Sequence, residues 1–378
     1  MDLKTRQDIV RSLAKQYRPA AKKEKGQLLE ELIRLAGYDR TYAAVLLSHP
    51  PKKRRRHRRR QKQSAYRKVL PGLRNLWVIS DAACGKRLAP MIPSLVDALE
   101  RHGEIKMSER EKQLLFSISP ATVDRLLTPI RKRIQLKGRS GTKPGSLLKH
   151  QIPVRIFTDW NDQRPGFLEI DLVAHCGEDL SGEYINSLDA TDIATHWTEC
   201  AAFIGRSRWF ATQAIDLIKE RLPFPPLGID SDNDAVFINA HFVWYCQQNS
   251  LTFTRCRPYR KNDQAHVEQR NNSVVRKYAE YQRLETVKQL KLLNQMYQIL
   301  SLYRNFFQTT MKLKSKERFG GRVKRVYEKP AKTPYQRVLE CCQLSVEQRQ
   351  QFEKKYQSLN PAELLRQIRK LQEQLFGY

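Results

Sequence analysis

A change of period after residue 165 limits what this chain can fold into more than any other feature. "GFLEIDLVAH" (166–175) alternates Phe167, Glu169 and Asp171 against Leu168, Ile170 and Leu172, and turn residues follow at Gly177, Ser181 and Gly182. A period of two belongs to a strand with two different faces. "YINSLDA" (184–190) and "HWTECAAF" (196–203) read as two more strands separated by "TDIAT", so three consecutive strands are expected to form an antiparallel meander. Helices and strands then alternate. "RWFATQAIDLIKERL" carries Phe210, Ala214, Ile215, Leu217 and Ile218 as the apolar face of a helix, "PLGIDSDND" is a short strand ending in acids, and "AVFINAHFVWYCQQN" is a helix. "LTFTRCR" is a strand, and "NDQAHVEQRNNSVVRKYAEY" is a helix capped by Asn262 or Asp263.

The order β-β-β-α-β-α-β-α over 166–285 is that of a ribonuclease-H-like α/β domain. With 378 residues, more than one domain is expected. We read the chain as multidomain: all-α helix-turn-helix modules at the N-terminus, the α/β catalytic domain, and a helical C-terminal tail. The expected boundaries are a first helix-turn-helix module over 1–50, a basic linker arm over 51–71, a second helical module over 72–135, a Gly/Ser/Lys-rich linker over 136–165, the core over 166–285 and a helical region over 286–378.

In the first module, Leu28, Leu29, Leu32, Ile33 and Leu35 recur at helical spacing before Gly37, and Asp39 caps a second helix. In the second, Ser108 caps a helix holding Leu114, Leu115 and Phe116, and Ser119-Pro120 opens another with Val123, Leu126 and Leu127 apolar. Its last helix offers Thr122, Asp124 and Arg125 towards a major groove; a plain helical hairpin satisfies the same pattern.

Charge narrows the partner. Lys and Arg number 69 against 39 Asp and Glu, a formal net charge of +30, which points to a polyanion and first to nucleic acid. "PKKRRRHRRRQK" places eight Lys/Arg and one His in positions 52–60. Like charges this dense cannot form a core. Arg54, Arg55, Arg56, Arg58, Arg59 and Arg60 are expected to neutralise DNA phosphates, in competition with the reading as a solvated linker. No run of roughly 18 apolar residues suggests a membrane span. Seven scattered cysteines without a C-x-x-C pair support neither a disulfide framework nor a zinc cluster, and fit a reducing cytoplasm.

Asp171 lies in the first strand, Asp232 follows the fourth, and Glu268 lies in the helix after the fifth, with 35 residues between the last two. Spacing of acids alone is common by chance. The flanking segments "EIDLVAH", "LDATDIATHWTECAAF", "GIDSDNDAVFIN" and "RPYRKNDQAHVEQRNN" carry the weight, and over 166–285 the chain resembles the retroviral-integrase superfamily, specifically the DDE transposases of bacterial insertion sequences.

The resemblance selects Asp232 over its neighbours Asp230 and Asp234, and notes Asp234 where many relatives have Gly. It implies that Asp171, Asp232 and Glu268 are both catalytic and metal-binding, holding two Mg²⁺ (Mn²⁺ as an alternative) for cutting 3′ ends and joining them to target DNA. Hard cations prefer carboxylate oxygens, and two of them roughly 3.5–4 Å apart activate attacker and leaving group. It also implies double-stranded DNA partners, namely terminal inverted repeats and target, a homo-oligomer on DNA, and a bacterial cytoplasmic, nucleoid-associated location. Arg257, Arg260, Lys261 and Asn272 are the DNA-backbone residues expected beside the site. Glu169, on the same strand face as Asp171, is expected as a surface acid or ion-pair partner, with a substitute metal ligand as the alternative; His175, His196 and His266 are expected as packed or solvent-facing, and Trp160, Trp209 and Trp244 as core. A catalytically inactive or domesticated DNA-binding protein, or a nuclease without joining activity, remains open.

Overall fold

The computed structural model describes residues 3–51, 65–131, 164–232, 234–255, 271–319, 322–342 and 344–377. The chain divides into two compact units, Met1–Ser64 and Ala65–Tyr378.

The first unit holds α1 (Leu3–Tyr17), α2 (Lys22–Ala36) and α3 (Arg40–Ser48). Gly37 ends α2 in the left-handed region at φ 68°, where a Cβ would be strained. Asp39 then starts α3 by accepting hydrogen bonds from the backbone N–H groups of Thr41 (2.8 Å) and Tyr42 (3.4 Å). Val10, Leu13, Leu29, Leu32, Ala43 and Leu47 close a small core of their own.

The second unit opens with α4 (Leu70–Ile79), α5 (Gly85–Arg101), α6 (Glu109–Phe116) and α7 (Pro120–Arg131). Ser108 and Glu111 cap α6 reciprocally. At the start of α5 only glycine fits: a Cβ on Gly85 would lie 2.1 Å from the Pro120 carbonyl oxygen, at the first turn of α7. Leu115, Val123 and Leu127 point inward to the same core as Leu88, Met91 and Leu95 of α5.

The sheet follows: β1 (Phe167–Ala174), β2 (Ile185–Asp192), β3 (Thr198–Ile204), α8 (Arg208–Lys219), β4 (Gly228–Ser231), α9 (Ala240–Gln248) and β5 (Thr252–Arg255). Its order is β3-β2-β1-β4-β5. The meander β1–β2–β3 is antiparallel, as its alternation predicts, while β4 and β5 add in parallel. Leu168, Ile170, Leu188, Ala190 and Ile229 cover one face and pack on Ala211, Ala214, Ile215 and Ile218 of α8 and on Phe242 and Cys246 of α9. This mixed α/β sheet is compatible with a ribonuclease-H-like core.

Two readings of these helices need correction. The buried stripe of α8 is Ala211, Ala214, Ile215 and Ile218, whereas Phe210 and Leu217 are exposed. Trp209 and Trp244, expected in the core, are 60% and 55% exposed. The small residues of α8 face the sheet, which leaves its bulkiest side chains outward. Trp160 lies outside the described residues.

Beyond the sheet, a π-helical turn (Asn271–Arg276) runs into a short helix (Lys277–Ala279), followed by the long α10 (Val287–Phe307). Two amides of α10 seal the outer edge of β3. Asn294 accepts from the Ala202 N–H (2.8 Å) and donates to its carbonyl (3.0 Å); Asn305 does the same for Thr198 (3.0 and 2.9 Å). An edge strand presents a row of unpaired backbone groups, and these side chains satisfy them as a sixth strand would.

The C-terminal region, expected to be helical, also contains a two-stranded antiparallel ribbon, β6 (Leu313–Phe319) and β7 (Arg322–Tyr327). After it come α11 (Pro334–Cys341), α12 (Val346–Ser358) and α13 (Pro361–Phe376). Leu364, Leu365 and Ile368 of α13 join Leu293, Met296 and Leu300 of α10 in the core that also receives α4–α7. Among the described residues no helix is long and apolar enough to cross a membrane, and the six described cysteines are unbridged.

Candidate active site

The parallel pair β1 and β4 lies at the centre of the sheet, where the chain, having run outward through β2 and β3, crosses back to the other side of β1. Open α/β sheets bind ligands at such switch points, outside the carboxyl ends of the strands. The pairing of β1 with β4 ends at Ile170 opposite Ser231. The next residue in each case is an acid: Asp171 within β1 and Asp232 directly after β4. The fold thus brings two of the three expected acids to neighbouring positions.

Both carboxylates are held from their own backbone. The Leu172 N–H donates to Asp171 Oδ1 (2.7 Å), and the Asp234 N–H donates to Asp232 Oδ1 (2.9 Å). Burial pushes the Asp232 carboxyl up to about 7; the charge of Asp171 pushes in the same direction, as does that of Asp234, against the Asp234 N–H and the Arg206 guanidinium. A carboxylate raised by burial and by a neighbouring carboxylate is a site that a cation relieves. Asp234 itself forms an ion pair with Arg206, and its Oδ1 accepts from the Val236 N–H (3.0 Å). The turn is therefore built by its third acid.

Further acids share this face. Asp189 is the cross-strand partner of Asp171 and is fully buried; Glu169, two residues back on β1, is also fully buried and pairs in register with Asp230. Thr254 donates to Asp230 Oδ1 at 2.5 Å. Glu169 is thus no surface acid. Asp189 sits in "LDATD", and its position opposite Asp171 emerges only from the register of the meander.

His175, at the end of β1, is fully buried; its Nε2 is 2.7 Å from Ser187 Oγ, which is 2.6 Å from the Tyr297 hydroxyl. Burial, helped by the charge of Arg276, lowers its pKa to about 3. A ring that stays neutral is a packed histidine, as expected. His196 is also buried, with Nδ1 3.2 Å from Thr310 Oγ1.

Glu268, Arg257, Arg260, Lys261 and His266 lie outside the described residues, as do Arg54, Arg55, Arg56, Arg58, Arg59 and Arg60. The chain re-enters three positions after Glu268, in the π-helical turn that contains Asn272. That turn is anchored to the sheet: Arg276 donates to the Ala174 carbonyl at the end of β1 (3.0 Å), and Val274 and Val275 are buried. In α7, Thr122 is half-buried and hydrogen-bonded to Ser119, while Arg125 is exposed. The Asp124 carboxylate, 42% exposed, is already engaged, accepting from the Gly85 N–H (2.7 Å) and from Arg131 (2.6 Å). Among the described residues, no group of three or more His, Cys, Asp or Glu side chains is placed to hold a metal.

No protein-family model matches the chain. It is 38% identical over 333 residues to the uncharacterized protein y4rM of Sinorhizobium fredii (strain NBRC 101917 / NGR234), covering 87% of this chain and 94% of that protein. Among solved structures it is similar to the catalytic core domain of BIV integrase, with a TM-score of 0.30 and 16% identity over 46% of this chain and 94% of that one. At that depth the likeness leaves the reading of the site to the strand order and the acids of the chain itself.

Proposed function

The chain belongs to the family of the uncharacterized protein y4rM, and on the geometry of its sheet we propose that it is a DNA transposase, a metal-dependent polynucleotidyl transferase that cuts transposon ends and joins them to target DNA. One observation carries this reading: Asp171 and Asp232 stand side by side where β1 and β4 part, and burial and mutual repulsion push Asp232 up to about 7. Hard-oxygen donors brought together against their own repulsion suit Mg²⁺ or Mn²⁺. Asp171, Asp232 and Glu268 would hold the ions.

When bound, the two ions supply Lewis-acid polarisation of the phosphodiester and activation of the attacking oxygen. The protein's own contribution is orientation and charge. The Leu172 and Asp234 N–H groups fix the two carboxylates. Basic segments at 52–60 and 257–261 would hold the DNA backbone, together with Asn272 and with Arg125 of α7. Two DNA ends and a target imply an oligomer on DNA, acting in the bacterial cytoplasm at the nucleoid.

The test is an in vitro reaction of purified protein with Mg²⁺ and duplexes carrying the ends of its own element. Nicked and joined products are expected from the unaltered chain, with loss of both in Asp171→Asn, Asp232→Asn and Glu268→Gln. Strand transfer that survives Asp232→Asn would remove the site; binding without any cleavage would favour a DNA-binding protein that lacks catalysis.

A further inference from the structure

Trp209, His241 and Trp244 form an open aromatic ladder across α8 and α9. The Trp209 and His241 ring centroids are 4.2 Å apart, and those of His241 and Trp244 are 6.2 Å apart with planes at 27°. Both tryptophans are more than half exposed, and Phe210 is exposed beside Trp209. Single exposed apolar residues are ordinary, but a contiguous aromatic surface marks an interaction site.

The ladder borders the candidate active site. Arg206, Ser207, Asp234, Ala235, Val236 and Asn239 line an open cleft of about 470 Å³. Ser207 and Asn239 are the N-caps of α8 and α9, so Trp209 and His241 stand two residues further along each helix. On the other side of the cleft, Asp234 hydrogen-bonds to Asp232. Arg206 balances Asp234 with one side of its guanidinium while its side chain remains 40% exposed. The cleft thus joins the turn of Asp232 and Asp234 to the first turns of α8 and α9, which carry Trp209, tilted at 44° to His241, and His241, stacked with Trp244.

We propose that this ladder is a stacking platform for an unpaired nucleobase of the DNA strand being processed, with Arg206 meeting the backbone phosphate beside it. The inference rests on the reading of Asp171 and Asp232 as a DNA-processing site. A base has a flat π-face whatever its sequence, and aromatic side chains that receive it contribute roughly tenfold in affinity per base. Paired bases keep their faces covered by their neighbours, so the ladder selects DNA in which a base has left the stack. The strongly basic chain, with Arg206 lining the cleft at the N-termini of the two helices, complements such a strand.

The experiment uses the full chain in EDTA, so that binding is measured without reference to the metal site. Fluorescence anisotropy would compare a blunt duplex with the same duplex bearing a short unpaired oligothymidine tail. The tail should tighten binding roughly tenfold. The W209A/W244A double variant should lose that gain while binding the blunt duplex as before. W209F/W244F, which keeps flat rings, should retain most of it.

No gain in the unaltered protein, a gain that survives in W209A/W244A, or an equal weakening of both DNAs would overturn the proposal. So would a dimer in sedimentation that W209A/W244A splits without touching the tail effect, since the surface would then belong to a second copy. Strand-transfer assays judge the acids separately, so failure of one reading is distinguishable from failure of the other.

Discussion

Asp232 Oδ1 is held at 2.9 Å by the backbone N–H of Asp234, while the Asp234 carboxylate turns away to pair with Arg206 and to cap Val236. The residue that stands where a glycine was expected thus contributes one hydrogen bond through its backbone and one charge through its side chain. Asp234→Asn separates the two. The N–H remains, but a negative charge beside Asp232 disappears, and that charge raises Asp232 by more than Arg206 lowers it. Calorimetric titration with Mn²⁺ across pH should therefore show binding setting in at lower pH in Asp234→Asn than in the unaltered chain. An unchanged midpoint would mean that Asp234 does not sense Asp232.

Asp232 also links divalent cations to stability. Its folded pKa of about 7 lies above the ordinary 3.8, so between these values the native state holds a proton that the unfolded chain has released. Its contribution is fully present below about pH 4 and is lost as pH rises through about 7. A cation that binds only the ionised pair acts in the opposite sense, and stabilises by mass action. Thermal unfolding should show little effect of Mg²⁺ near pH 5 and a clear rise in Tm near pH 8. Asp232→Asn should abolish both the cation effect and this part of the pH dependence; an equal Mg²⁺ effect in that variant would place the ion elsewhere.

The sealing of β3 by α10 predicts a cost that the helix sequence does not announce. Removing the Asn305 side chain leaves the Thr198 N–H and carbonyl without the partners they have in the native state. A buried backbone group left unsatisfied costs about 1–3 kcal/mol. Asn305→Ala should lower the free energy of unfolding by that order in urea denaturation, and the N294A/N305A double variant should aggregate through its bared strand edge. Asn305→Leu, which fills space without hydrogen bonds, should not restore stability; if it does, packing rather than edge pairing holds α10 to β3.

The strands were legible because each shows a period of two bounded by turn residues, and the parallel addition of β4 and β5 follows from the helices between them. What escaped the sequence reading shares one physical reason: side-chain type was taken as a guide to burial. Trp209 and Trp244 look like core because tryptophan usually is, yet α8 turns its alanines and isoleucines to the sheet. Asn294 and Asn305 look like solvent positions on an amphipathic helix, yet they bond to a strand edge. The ribbon β6–β7 is rich in Lys and Arg and lacks an apolar face, so its signal is the Gly320-Gly321 pair between two short alternating runs. At the site, the adjacency of Asp171 and Asp232 follows from two acids placed one residue past paired strand positions. The burial of Asp189 and Glu169 does not, since it depends on register with strands far along the chain.

His175 supplies the last prediction. It is fully buried, linked through Ser187 to Tyr297, and held neutral with a pKa of about 3 by burial and by Arg276. Its folded pKa lies below the ordinary 6.5, so between these values the unfolded chain takes up a proton that the native protein refuses. Stability from this group is present above about pH 6.5 and is lost as pH falls towards 3. At about pH 4.5 the loss amounts to roughly 2–3 kcal/mol. His175→Gln keeps an amide within reach of Ser187 and removes the titration. Its urea midpoint should therefore fall less than that of the unaltered chain between about pH 7 and pH 4.5, even if the variant is less stable at neutral pH. Asp232 and Glu199, both raised by burial, titrate in the opposite sense over part of this range. Both residues are present in the two proteins, so the difference between the curves isolates His175. Parallel curves would show that its proton does not set the acid limit of this fold.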